Sequence, residues 1–151
     1  MRKNVDSEQN TTEHGRTEMQ PVTDKEMRAL LKAQQGELDA VLMYNALADK
    51  ARDPHDKETF RQLASEEGRH AVVFHELTGK ALQPKKTKAI LLPLLYSCLG
   101  RKILYPQIAR FEHAVVRTYA PVAERFPTVE SVKNDEKRHG DILLGLLHSD
   151  R

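Results

Sequence analysis

Glutamate and histidine recur in this chain at positions where a helix would otherwise carry apolar core residues. Glu37 stands alone in one stretch, Glu67-Gly68-Arg69-His70 forms a unit in the next, Glu112 stands alone in a third, and Glu136-Lys137-Arg138-His139 forms a unit in a fourth. The acid and the imidazole of each Glu-x-x-His unit are three residues apart, so on a helix they share a face at roughly 5–6 Å and can reach one ion. Four carboxylates and two imidazoles in the order Glu, Glu-x-x-His, Glu, Glu-x-x-His make up the ligand set of a dinuclear metal site inside a four-helix bundle. One Glu-x-x-His on a helix carries little weight, because exposed helices generate it often. Two of them, each matched by a lone glutamate on a further helix, are specific.

The neighbours of these residues explain why the acids turn inward. Steps of three and four along the helices give the stripes Leu30, Gln34, Glu37, Val41, Tyr44 and Phe60, Leu63, Glu67, His70, Phe74. The later stripes are Ile108, Glu112, Val115, Tyr119 and Val132, Glu136, His139, Leu143. Each glutamate is flanked on its own face mainly by apolar or aromatic residues, the mark of a core-facing position. A buried, unpaired carboxylate costs several kcal/mol or takes up a proton, and four together repel. Two divalent cations neutralise four carboxylates. Mixed carboxylate and imidazole donors suit iron or manganese, and zinc can take the same ligands. Tyr44, two turns past Glu37, is placed beside the metals as a donor to a carboxylate and is the one residue given a catalytic part. Tyr119 stands in the same relation to Glu112 and reads equally well as a core tyrosine with a satisfied hydroxyl. Glu66, Asp135, Glu76 and Glu130 read as solvent-facing, His75, His113 and His148 as lying off the ligand stripes, and His55 as a loop residue.

Four long helices must position these groups. Thr23-Asp24-Lys25-Glu26 fits a capping box opening the first, which runs to about residue 52. Asp53-Pro54 reads as an N-cap followed by proline at the first helical position, and Gly79 ends the second helix. Residues 80–106 form a long connection whose apolar centre, 89–96, predicts a short crossing helix begun or kinked by Pro93. Pro106 is expected to mark the start or a bend of the third long helix, and Thr128 to cap the fourth. Loops that are short, long and short give an all-α, ferritin-like antiparallel four-helix bundle with one long crossover containing a short helix. The expected domain spans residues 23–148, preceded by a disordered polar tail at 1–22 that includes His14.

Composition excludes several alternatives. At 151 residues the chain is about one domain, and a net charge of +2 is too balanced to argue for nucleic acid. Apart from Lys85-Lys86-Thr87-Lys88, read as a solvated loop, basic and acidic residues alternate. Cys98 is the only cysteine and reads as a small apolar residue of the crossover, so a four-thiolate iron site cannot form within the chain. No N-terminal apolar stretch reads as a secretory signal, and the longest apolar run, near 89–99, is too short to span a bilayer. The expectation is a soluble cytoplasmic protein, with that run buried in the bundle or at a dimer interface.

Gly36-Glu37-Leu38-Asp39-Ala40 with Tyr44, Ala64-Ser65-Glu66-Glu67-Gly68-Arg69-His70, and Asn134-Asp135-Glu136-Lys137-Arg138-His139 together resemble the rubrerythrin-like branch of the ferritin-like superfamily, over about residues 24–147. The resemblance implies a non-haem di-iron centre that reacts with hydrogen peroxide or oxygen, and a homodimer or larger assembly. Two departures stand out. The further glutamate that such proteins carry one turn after the helix-three ligand is replaced by Val115, or by Val116 with a one-residue shift, and the rubredoxin electron-transfer domain is missing, so turnover calls for an external electron-donor protein. Quinone hydroxylases of the same superfamily share the Glu/Glu-x-x-His pattern and a membrane-touching apolar crossover, and a non-catalytic iron-binding or iron-sensing module is the third alternative.

Overall fold

The computed structural model describes residues 20–148; the polar tail expected at 1–22 lies largely outside them. Among the described residues the chain is all-helical: α1 (Asp24–Lys50), α2 (Pro54–Thr78), α3 (Thr87–Leu99), α4 (Arg101–Arg125) and α5 (Val129–Leu146). Local chemistry sets several of these ends. Thr23 Oγ1 accepts from the Glu26 amide at 3.2 Å and the Glu26 carboxylate accepts from the Thr23 amide at 2.8 Å, the reciprocal box anticipated above. Asp53 accepts from the amides of His55 and Asp56 ahead of Pro54. Gly79 takes φ 62°, a left-handed conformation that glycine adopts without a Cβ clash, and closes α2.

Three local expectations are corrected. His55 belongs to the first turn of α2 rather than to a loop. Of the two alternatives for Pro106, the helix start is excluded, since the proline lies inside α4. α4 begins at Arg101, because the turn before the proline is anchored by packing: Leu104 and Tyr105 are buried and Tyr105 donates to Asp56 at 2.7 Å. Thr128 makes no side-chain cap, and the turn closes through backbone bonds from Val129 to Phe126 and from Glu130 to Pro127. Cys98 lies on the crossover helix, as expected, on its exposed side.

Short turns pair α1 with α2 and α4 with α5. Tyr44 reaches Glu112 while Tyr119 reaches Glu37, so α1 and α4 run antiparallel. Bonds from residues 135–139 back to 66–70 make α2 and α5 antiparallel as well. The crossover lays α3 against α1, where Leu92, Leu95 and Tyr96 pack on the core. The architecture is a ferritin-like helical bundle.

The core is divided in two. One apolar half holds Met43, Leu47, Phe60, Leu63, Tyr105, Ile108, Leu143 and Leu146. The other holds Leu30, Phe74, Tyr119, Phe126, Val129 and Val132. On every long helix the acidic residues fall between these halves, so they occupy one level of the bundle. Each fully buried Leu or Phe contributes about 1.5–3 kcal/mol, which lets the two halves hold the polar layer in place. No helix among the described residues is long and apolar enough to cross a membrane.

Candidate metal centre

Glu37, Glu67, Glu112 and Glu136 are 1–3% exposed, His70 is 4% and His139 0%. All six therefore lie inside the bundle. Glu37, Glu67, His70 and Glu136 each offer a ligand atom within 4.8 Å of the others. His70 Nδ1 is the hub, 3.0 Å from Glu136, 3.4 Å from Glu67 and 3.5 Å from Glu37. Glu112 and His139 stand outside this tight group but border it. His139 Nδ1 is 3.0 Å from Glu67, and Glu112 interacts with Glu136. The arrangement has an approximate two-fold character: each hairpin supplies one lone glutamate, one Glu-x-x-His and one tyrosine.

The tyrosines cross between hairpins. Tyr44 of α1 donates to Glu112 of α4, and Tyr119 of α4 donates to Glu37 of α1. Burial, followed by the adjacent carboxylates, raises both phenols well above their usual range, so they remain protonated donors.

Outside the imidazoles sit two acids that the sequence reading assigned to solvent. Glu66 is buried and lies 2.8 Å from His139 Nε2, while half-exposed Asp135 lies 3.1 Å from His70 Nε2. Arg138 donates to both, at 2.6 Å and 2.9 Å. Burial would raise the Glu66 carboxyl, but bonds from Arg138 and His139 hold it below the usual value. With both acids ionised, each Nε2 carries a proton that it donates outward, and each Nδ1 faces the centre. The overlooked signal was the doublet Glu66-Glu67 and its counterpart Asp135-Glu136. An acid one step before the inward glutamate turns toward the neighbouring helix of the bundle, where that helix's histidine waits.

The electrostatics show a cluster in need of positive charge. Burial, with repulsion from Glu67, raises Glu37 to about 8, and burial raises Glu136 to about 7 and Glu112 well above its ordinary value. Glu67 goes the other way. Burial opposes its charge, yet bonds from His139 and His70 lower it to about 2. Both histidines are pushed up despite burial, His70 by Glu136, Glu37 and Glu67, and His139 chiefly by Glu67. Protons thus do part of the neutralising. His70 Nδ1 and Glu136 Oε1 are 3.0 Å apart, but both are buried without a properly directed hydrogen bond. They point into shared space rather than along a donor–acceptor line. Buried polar atoms are rarely left this way, and a cation among hard oxygen and imidazole donors is a fitting partner for both.

Access comes from the α1/α4 side. A cavity of about 480 Å³ is walled by Ala33, Gly36, Ala40, Met43, Val115 and Val122, and its floor is Glu37, Glu67, Glu112 and Glu136. A smaller cavity of about 250 Å³ beneath α3 shares Met43, Lys88 and Phe111 with it. The histidines lie on the opposite side, so the carboxylates alone face the opening.

The rubrerythrin family model matches residues 28–91, which carry Glu37, Tyr44, Glu66, Glu67 and His70. No curated protein and no solved structure matches the chain. The rubrerythrin family implies iron binding, and the buried carboxylate and histidine cluster fits a metal site. Over residues 28–91 the chain is similar to the rubrerythrin family, and the all-helical bundle that surrounds this stretch is consistent with a ferritin-like fold.

Proposed function

We propose that the chain is a di-iron oxidoreductase in which Glu37, Glu67, His70, Glu112, Glu136 and His139 hold two irons. Its oxidant is hydrogen peroxide or oxygen, and its electrons come from an external donor protein. The observation that carries this reading is the single polar layer between two apolar halves, where four carboxylates and two imidazoles converge. Bound ferrous iron supplies the electrons that reduce the oxidant. The protein's own groups do the rest. Tyr44 and Tyr119 fix the rotamers of Glu112 and Glu37. Glu66 and Asp135 orient the imidazoles, and the apolar walls limit the water at the open side.

Anaerobic loading with ferrous iron followed by hydrogen peroxide tests this proposal. Near-ultraviolet absorption of ferric iron is expected to appear within seconds and to disappear when a reductant is added. A ferrous-loaded protein whose spectrum does not respond to peroxide or to oxygen contradicts the redox reading and leaves an iron-binding module.

The cavity favours one further reading, a hydroxylase acting on an organic substrate. About 480 Å³ falls within the range of small-molecule pockets and far exceeds the roughly 30 Å³ share of a water-sized molecule. Gly36 offers the discriminating substitution. A Cβ there meets nothing within 4 Å, and replacing a mid-helix glycine gains about 0.8–1 kcal/mol of helix propensity. Gly36→Leu is expected to raise the melting temperature by about 4 °C and to leave iron uptake and its oxidation by peroxide within about twofold of the parent, while excluding any organic substrate that occupies the cavity. Calorimetry and the iron assay check both; loss of iron uptake would contradict the view that the upper walls of the cavity can be filled without disturbing the ligands on its floor.

A further inference from the structure

We propose that the outward face of α3 is a docking surface for an anionic lipid bilayer. Nine large apolar side chains are exposed among the described residues. Six of them, Ile90, Leu91, Leu94, Leu99, Ile103 and Phe111, fall within α3 and the first half of α4. On α3, Ile90, Leu91 and Leu94 project outward on one helical face while Leu92, Leu95 and Tyr96 pack inward. No described residue covers that face. Apolar surface gathered in this way marks a contact with a protein or a membrane.

Charge decides between those two partners. From Leu77 to Phe111 the chain contains no aspartate or glutamate, yet it carries Lys80, Lys85, Lys86, Lys88, Arg101, Lys102 and Arg110. The net charge of +2 for the whole chain conceals this local excess. The lysines sit on both flanks of the apolar face: Lys85 and Lys86 are exposed just before α3, and Lys102 is exposed just after it. They do not serve the helix itself. The first turn of α3 has no acid and its N-cap makes no side-chain bond, and positive charge at a helix N-terminus opposes the helix dipole. Pairing α3 with a second copy across a two-fold axis would bring two acid-free basic segments together. A negatively charged bilayer instead meets basic residues at both ends of a short apolar helix, the arrangement of a helix lying in the headgroup region. Thirteen residues extend only about 20 Å, too short to cross the roughly 30 Å hydrocarbon layer, so the contact is peripheral. It does not depend on the metal centre.

Co-sedimentation of the full-length protein with two kinds of vesicle tests the proposal: phosphatidylcholine alone, and phosphatidylcholine with about one-third phosphatidylglycerol. Binding to the anionic vesicles is expected to be at least about tenfold tighter and to weaken as salt is raised. Leu91→Ser combined with Leu94→Ser, and separately Lys85→Glu combined with Lys86→Glu, are expected to abolish sedimentation with the helical circular dichroism unchanged, since all four residues are exposed. Equal binding to both vesicles, no binding to either, or sedimentation that survives both double variants would overturn it. So would a loss of self-association in the Leu91→Ser/Leu94→Ser chain without vesicle binding by the parent, which would assign the face to a second copy.

Discussion

Glu67→Ala is expected to weaken binding of ferrous iron by at least about a hundredfold, while Glu76→Ala, at an exposed position on the same helix, leaves it unchanged. Glu67 is the most connected carboxylate in the layer. It is 1% exposed, lies 3.0 Å from His139 and 3.4 Å from His70, and shares the tight group with Glu37 and Glu136. Removing one partner from a buried charge cluster costs about 3–5 kcal/mol, and each 1.4 kcal/mol is about a factor of ten in affinity. The same substitution acts on the metal-free fold. Glu67 alone among the four is held ionised, and it balances the two histidines. Its loss leaves imidazolium charge in the core with a weaker partner, so the metal-free melting temperature falls too. Anaerobic titration against a competing chelator measures the first effect and calorimetry the second.

The metal-free and iron-loaded proteins are expected to respond to pH in opposite directions between about pH 5 and 9. Without metal, Glu37 has a folded value of about 8 against 4.5 for the free group, and Glu136 about 7. The fold therefore favours their protonated forms, and stability declines as pH climbs from 4.5 through those values. His70 is raised above 6.5; its contribution is complete below 6.5 and drains away as pH rises toward the folded value. Glu67, lowered to about 2, contributes fully above 4.5 and loses that contribution only in strong acid, so it does not offset the trend. Iron must displace the protons on these ligands, so its affinity, and the stability it adds, grow with pH. Melts at pH 5.5 and 8.5, with chelator and with iron, are expected to show the metal-free midpoint falling and the iron-loaded midpoint rising. A metal-free midpoint that rises with pH would contradict the charge assignment.

Much of this was legible in the residues. Thr23, Asp53, Pro54 and Gly79 act within one helical turn, so their effects read directly from the chain. The six acidic and histidine positions were legible because helical periodicity ties each to an apolar stripe, and the stripes place them at one level. What depended on contacts between helices was not legible. Glu66 seemed solvent-facing because on its own helix it meets only polar Gln62 and exposed Arg69; the partners that draw it inward, Arg138 and His139, lie 72 or 73 positions further along. Pro106 looked like a boundary because the packing of Tyr105 against Asp56 and Phe60 cannot be seen from local spacing. The apolar run of α3 was read as buried in the bundle or at a dimer interface; Leu92, Leu95 and Tyr96 do pack on the core, but an apolar run announces that it needs a partner without saying whether that partner lies in the same chain.

In the proposed function a pair of metal ions held by Glu37, Glu67, His70, Glu112, Glu136 and His139 completes the polar layer of the bundle. Metal analysis of the full-length protein after anaerobic loading with ferrous iron and removal of the excess tests it most directly. Two irons per chain are expected, and none in a chain carrying Glu67→Ala and Glu136→Ala together. A parent chain that retains no iron, or a double variant that retains as much as the parent, would contradict it.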